Sequence, residues 1–96
     1  MTLLAVGAKF PLGQVVATPG ALAALAQSEQ TPLEFLQRHA SGDWGELDEA
    51  DKRENDFSLD KHLRLLSAYH TTSGEKLWVI TEADRSATTF LLPSEY

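Results

Sequence analysis

The chain has 96 residues, 43% of them hydrophobic and 23% charged, with a formal net charge of −6. That length and apolar content fit one folded domain and argue against disorder. The absence of cysteine excludes disulfides, thiolate catalysis and cysteine-ligated zinc or iron–sulfur centres. The opening residues "MTLLAVGAKFPLG" lack a basic start and a small-residue cleavage site, and their apolar run is far shorter than the ~20 residues of a membrane span. We therefore expect no signal peptide and no membrane helix, and a cytoplasmic protein. No repeat, low-complexity tract or linker divides the sequence, so residues 1–96 read as a single domain.

In chain order, "GQVVAT" (13–18) is a short β-branched run that predicts a first strand. In "TPGALAALAQSEQ", Thr18 is placed to cap a helix with Pro19 at its first position, and Ala21, Leu22, Ala24 and Leu25 form a small apolar stripe. "TPLEFLQRHASG" carries a stronger start signal. Thr31 and Glu34 have capping-box spacing, Pro32 opens the helix, Leu33, Phe35 and Leu36 face inward, and Gly42 supplies a left-handed stop.

Residues 47–60, "LDEADKRENDFSLD", predict a third helix with Asp48 as its cap. Its apolar face is thin: Ala50 and Phe57, with Leu47 and Leu59 beside them. Between Asp43 and Asp60 lie eight acids and two bases, which is the entire net charge of the protein. The acidity is therefore one patch, whose bland reading is a solvated helical face.

From residue 62 onward the pattern changes. "HLRLLSAYHT", "EKLWVITE" and "ATTFLLP" are rich in leucine, β-branched and aromatic residues, and "TSG" and "ADRS" separate them. They predict a three-stranded antiparallel meander. The expected fold is α+β, with the N-terminal strand and helices packed on that C-terminal meander and the first strand added at an edge.

Two loops stand out as candidate sites. In "SGDWG" (41–45) the glycines turn the chain, Trp44 covers the core edge and Asp43 caps the turn; the functional alternative joins His39, Asp43 and Trp44 in a binding surface that continues into Asp48, Glu49 and Asp51. In "TEADRS" (81–86) Glu82, Asp84 and Arg85 either neutralise one another or form a polar site. His39 and Glu82 would make a general acid–base pair if the fold joined them. His39, His62 and His70 have no metal-ligand spacing, and the acids after Asp43 do not follow a calcium-loop pattern, so no metal or cofactor is expected.

The runs "LGQVVATPGALAAL", "RHASGDWGELDEADKREND", "RLLSAY" and "WVITEADRSATTFLLPSEY" together resemble a family of small bacterial proteins of about this length that are associated with plasmids and mobile elements. The resemblance covers residues 12–96. Some members carry the label of a type I restriction endonuclease subunit M. This chain lacks the Asn-Pro-Pro-aromatic motif and the length of a cofactor-binding sheet that such a methyltransferase needs, so the label does not transfer. The resemblance implies an accessory protein of a mobile element and specifies no activity.

The leading expectation is a small protein without catalysis that binds a protein partner, with the acidic segment meeting a basic surface. That segment repels phosphates, which opposes direct nucleic-acid binding through it and allows mimicry of nucleic acid towards a host defence enzyme. A rival reading is a ribonuclease-type toxin using His39, Tyr69, Glu82 and Arg85, with positive potential from a cluster of Arg38, Arg64 and Arg85. A third is a homo-oligomer formed through an open sheet edge.

Overall fold

The computed structural model describes residues 8–96. Among them, strand β1 (Gln14–Ala17) is followed by helices α1 (Pro19–Ser28), α2 (Pro32–Ala40) and α3 (Glu49–Lys61). Strands β2 (Leu65–His70), β3 (Lys76–Thr81) and β4 (Ala87–Leu91) and a short 3-10 turn (Pro93–Glu95) complete the order. The fold is α+β. β2, β3 and β4 form the expected antiparallel meander, and β1 joins its β4 side in parallel, giving a mixed four-stranded sheet in the order β1-β4-β3-β2. No described helix is long and apolar enough to cross a membrane.

Local chemistry accounts for the helix ends. The Thr18 hydroxyl accepts from the Ala21 N–H and Pro19 stands in the first turn of α1. The Glu95 carboxylate adds a second cap, accepting from the Gly20 N–H at 3.0 Å and from the Thr18 hydroxyl. A negative group there suits the positive end of the helix dipole, and these bonds hold its pKa below the usual carboxylate range. The capping box expected at Thr31 does not form. Thr31 makes no side-chain cap bond, and Glu34 instead accepts from the Gln30 amide at 2.8 Å. Gly42 stops α2 with a φ of 88°.

The strand register sorts the side chains. Leu65, Ser67 and Tyr69 of β2, Leu77, Val79 and Thr81 of β3, and Thr88 and Phe90 of β4 share the inward face and are fully buried. The helices, the segment before β1 and the turn after α2 cover this face with Phe10, Leu12, Ala21, Leu25, Phe35, Leu36 and Trp44. Each fully buried leucine or phenylalanine contributes on the order of 1.5–3 kcal/mol relative to exposure. Leu22 and Leu33, expected on inward stripes, are exposed; the smaller Ala21 and Ala24 take the close positions on α1. On the opposite face the chain end folds back, with Tyr96 edge-on to Trp78 at a centroid distance of 5.7 Å.

The two sheet edges differ. The outer edge of β2 is closed: the Glu46 N–H donates to the Ala68 carbonyl, the Ala68 N–H donates to the Trp44 carbonyl, and the Asn55 side-chain amide bonds both the N–H and the carbonyl of Leu66. On β1, Gln14 and Thr18 bond towards β4, so the N–H and carbonyl groups of Val15 and Ala17 point outward. Among the described residues, nothing bonds to them.

Candidate functional site

The turn after α2 is built by short polar contacts. Asp43 accepts from the Arg38 guanidinium at 2.7 Å and from the Gly45 N–H at 3.1 Å, and the Arg38 hydrogen bond holds its carboxyl below the usual range. Arg38 also lies over the Tyr69 ring, 4.4 Å from its centroid. The Tyr69 phenol, pushed up to about 12 chiefly by burial, stays protonated and donates to the Asp43 carbonyl at 2.6 Å. Gly45 has a φ of 77°, and a Cβ there would stand 2.0 Å from the Ala68 carbonyl oxygen. Glycine is required for the chain to lie against β2.

Trp44 is buried. Its ring stacks near Phe10 and meets His39 edge-on, and its indole N–H donates to Asp56 at 2.9 Å. It covers the core edge and presents no surface to a partner, so it leaves the group of surface candidates.

α3 begins with Asp48 accepting from the Asp51 N–H at 2.8 Å. Its buried residues are Asn55 and Ser58; of the expected apolar face, Leu59 and the preceding Leu47 pack partly buried against the core, while Ala50 and Phe57 point to solvent, Phe57 52% exposed. The cause is the β2 edge. Leu66 offers a bare N–H and carbonyl, and a carboxamide carries the matching acceptor and donor, so the helix is rotated to place Asn55 inward.

Several acids are committed locally. Asp43 pairs with Arg38, Glu46 with His70, and Asp56 holds Trp44, while Glu49 and Asp60 approach Lys52 and Lys61 at 3.8 and 3.9 Å. Asp51 and Glu54 have no ion-pair or side-chain hydrogen-bond partner among the described residues. Glu54 stands one turn before the exposed Phe57 on the helix surface, beside Arg53, and Asp51 lies a further turn back.

The 81–86 loop is a clamp. Arg85, at a φ of 62°, donates to the carbonyls of Leu63 (2.7 Å), Glu82 (3.0 Å), Ala83 (3.2 Å) and Ser58 (3.3 Å). Ser58 lies in the last turn of α3, where a cation suits the helix dipole. Asp84 accepts from the Ser86 N–H at 3.0 Å and tightens the turn. Glu82 pairs with Arg64 at 3.2 Å, and Arg64 donates to the Tyr96 hydroxyl at 2.8 Å. Arg38, Arg64 and Arg85 are thus engaged with different partners.

His39 is fully buried in a row of polar groups that crosses the core. Its Nδ1 lies 2.6 Å from the Ser67 hydroxyl and its Nε2 lies 2.8 Å from that of Thr81, which is 2.7 Å from that of Thr88. The far end sets the protons as far as Nε2, and the neutrality of the ring sets the last one. The Leu12 carbonyl can only accept, so Thr88 donates to it, at 2.7 Å. Thr81 then donates to Thr88, Nε2–H donates to Thr81, and Ser67 donates to Nδ1. The imidazole is neutral, its pKa lowered to about 3 by burial and next by the charge of Arg85.

Although Ser67 and His39 stand at hydrogen-bond distance, both are closed off from solvent and from any substrate. Thr81 points inward and Glu82, the next residue, pairs with Arg64 beside Tyr96 on the other side of the sheet, so His39 and Glu82 are not joined. His39, Tyr69, Glu82 and Arg85 do not share one open site. No group of three metal-ligating side chains is assembled among the described residues.

The roles of Ser67, Thr81 and Thr88 were open to sequence reasoning, because strand alternation puts all three on the same face as Val79 and Phe90. Hydroxyls at buried positions on three adjacent strands call for a common partner. No family model matches the chain, and neither curated proteins nor solved structures gave a match.

Proposed function

We propose that the protein is a small cytoplasmic accessory protein of a mobile element, and that it acts without catalysis by binding a protein partner through the outward face of α3. One observation carries this reading: Phe57 stands in solvent, one helical turn from Arg53, Glu54, Asp60 and Lys61, while the same helix turns Asn55 and Ser58 to the core. An aromatic side chain ringed by charge is the arrangement of an interface anchor with a polar rim. The rim next to Phe57 carries both signs, and the excess of acids along α3, Asp51 and Glu54 among them, favours a partner with a basic surface around an apolar pocket. Glu49 and Asp60 extend the same rim, and the loop acids Glu82 and Asp84 lie outside it.

The test is affinity capture from nuclease-treated host lysate at low and high salt, with Phe57→Ser and Asp51→Lys/Glu54→Lys variants beside the wild type. These substitutions spare Asp48 and Asp56, which hold the helix start and Trp44. A partner that is salt-sensitive, retained by Glu29→Lys and lost by both α3 variants supports the reading. A partner captured equally by all of them, or no partner, overturns it.

A further inference from the structure

Residues 10–28 contain no charged side chain, although the chain carries 14 acids and 8 bases elsewhere. This stretch forms β1 and α1. Its solvent side is mostly apolar: Val15 is 42%, Val16 41% and Leu22 54% exposed, and Pro19, Ala23 and Ala26 are exposed with them, while Gln14 and Gln27 are its exposed polar side chains. A helix that is apolar on both sides is ordinarily covered on both. Beside it, β1 offers the outward N–H and carbonyl groups of Val15 and Ala17, and no lysine, proline or bulge within Gln14–Ala17 blunts that edge.

We propose that this surface is the interface with a second copy of the chain, formed by antiparallel pairing of β1 with β1 of its partner about a two-fold axis. Pairing Val15 of one copy with Ala17 of the other lets each such pair exchange both backbone hydrogen bonds and sets the two Val16 side chains opposite each other. The outward face of α1 supplies the apolar area that a four-residue strand alone lacks.

Charge selects the occupant. Two molecules of net charge −6 repel, and the acidic α3 lies along the β2 edge, at the other end of the strand order. Meeting through β1 and α1 brings together residues that carry no charge of their own, with the Glu95 carboxylate held at the start of α1 by Gly20 and Thr18, and leaves both α3 helices at the far ends of a continuous eight-stranded sheet. An isologous contact of this kind is self-complementary, so it closes at two copies instead of growing into a fibre.

The experiment is sedimentation velocity of the full chain from micromolar to near-millimolar concentration, with amide hydrogen exchange at the same concentrations. A mass approaching twice 10.5 kDa is expected, with concentration-dependent protection of the Val15 and Ala17 amides. Val16→Lys sets like charges opposite each other and should weaken the dimer about ten-fold or more. Leu22→Glu should weaken it independently, and the Tm of each variant below the dimer range should match the monomeric wild type.

A monomer throughout the range, or a dimer indifferent to both variants with Val15 and Ala17 unprotected, overturns the proposal. Neither outcome bears on the α3 reading. Phe57→Ser should leave the dimer intact, and Val16→Lys should leave a partner of α3 bound.

Discussion

The two edges of the sheet solve one problem in opposite ways. At β2, every exposed backbone group from Leu66 to Ala68 that would recruit another strand is met by Asn55, Trp44 or Glu46. At β1, Val15 and Ala17 present theirs outward with an apolar helix alongside. The closed edge is also the charged one, since the segment that closes it carries the acids. In consequence, α3 is fastened to the sheet by the directed hydrogen bonds of Asn55 together with the partly buried Leu59, and its larger apolar side chain, Phe57, is left outside.

The comparison breaks most sharply at Gly45. Gly45→Ala drives a Cβ into the Ala68 carbonyl and the Tyr69 ring from a left-handed backbone, so it should destabilise by about 3 kcal/mol in urea unfolding. Exchange at Ala68 should accelerate first. Asn55→Leu leaves the Leu66 N–H and carbonyl bare and should cost about 2–3 kcal/mol. Leu66 should lose protection while β1 keeps its own; equal loss at both edges would show that Asn55 does not act locally.

Acid should act on both edges at once, because the row through His39 ties β2, β3 and β4 to the segment leading into β1. The folded pKa of about 3 lies below the unfolded value near 6.5, so between these pH values the unfolded chain binds a proton that the folded chain refuses. The stabilisation is complete above pH 6.5 and is lost as pH falls. Between pH 7 and pH 5 the loss should be about 2 kcal/mol. His39→Gln can accept from Ser67 and donate to Thr81 without titrating, so its stability should be nearly flat over that interval. A His39→Gln curve parallel to wild type would remove the imidazole from the acid response. The smallest effect belongs to the open edge: Val15→Thr, measured below the dimer range, should change stability by less than about 0.5 kcal/mol.

Much of this molecule was legible in the sequence because it rests on local chemistry. Thr18 and Asp48 as caps, Gly42 as a stop, the alternating runs of the meander and Trp44 as a cover over the core edge all follow from neighbours in the chain. The orientation of α3 was not legible. Hydropathy favours Phe57 inward, and only the bare edge at Leu66, 11 residues from Asn55, reverses it. Thr31 shows the complementary failure, since its capping partner Glu34 was taken by Gln30. His39 was singled out for its chemistry, yet the hydroxyls that bury it come from three strands. Arg85 reads as a surface charge until its four carbonyl partners are assembled around it.

The parallel pairing of β1 with β4 has a consequence in time. Gln14 meets Ala87, and the start of α1 is capped by Glu95, 75 residues beyond Gly20. During synthesis the first strand is made early and then waits, unpaired, until the last described strand has left the ribosome. Until then its β-branched run has no strand of its own sheet to pair with, so the closing of this edge is a long-range step that comes late in folding.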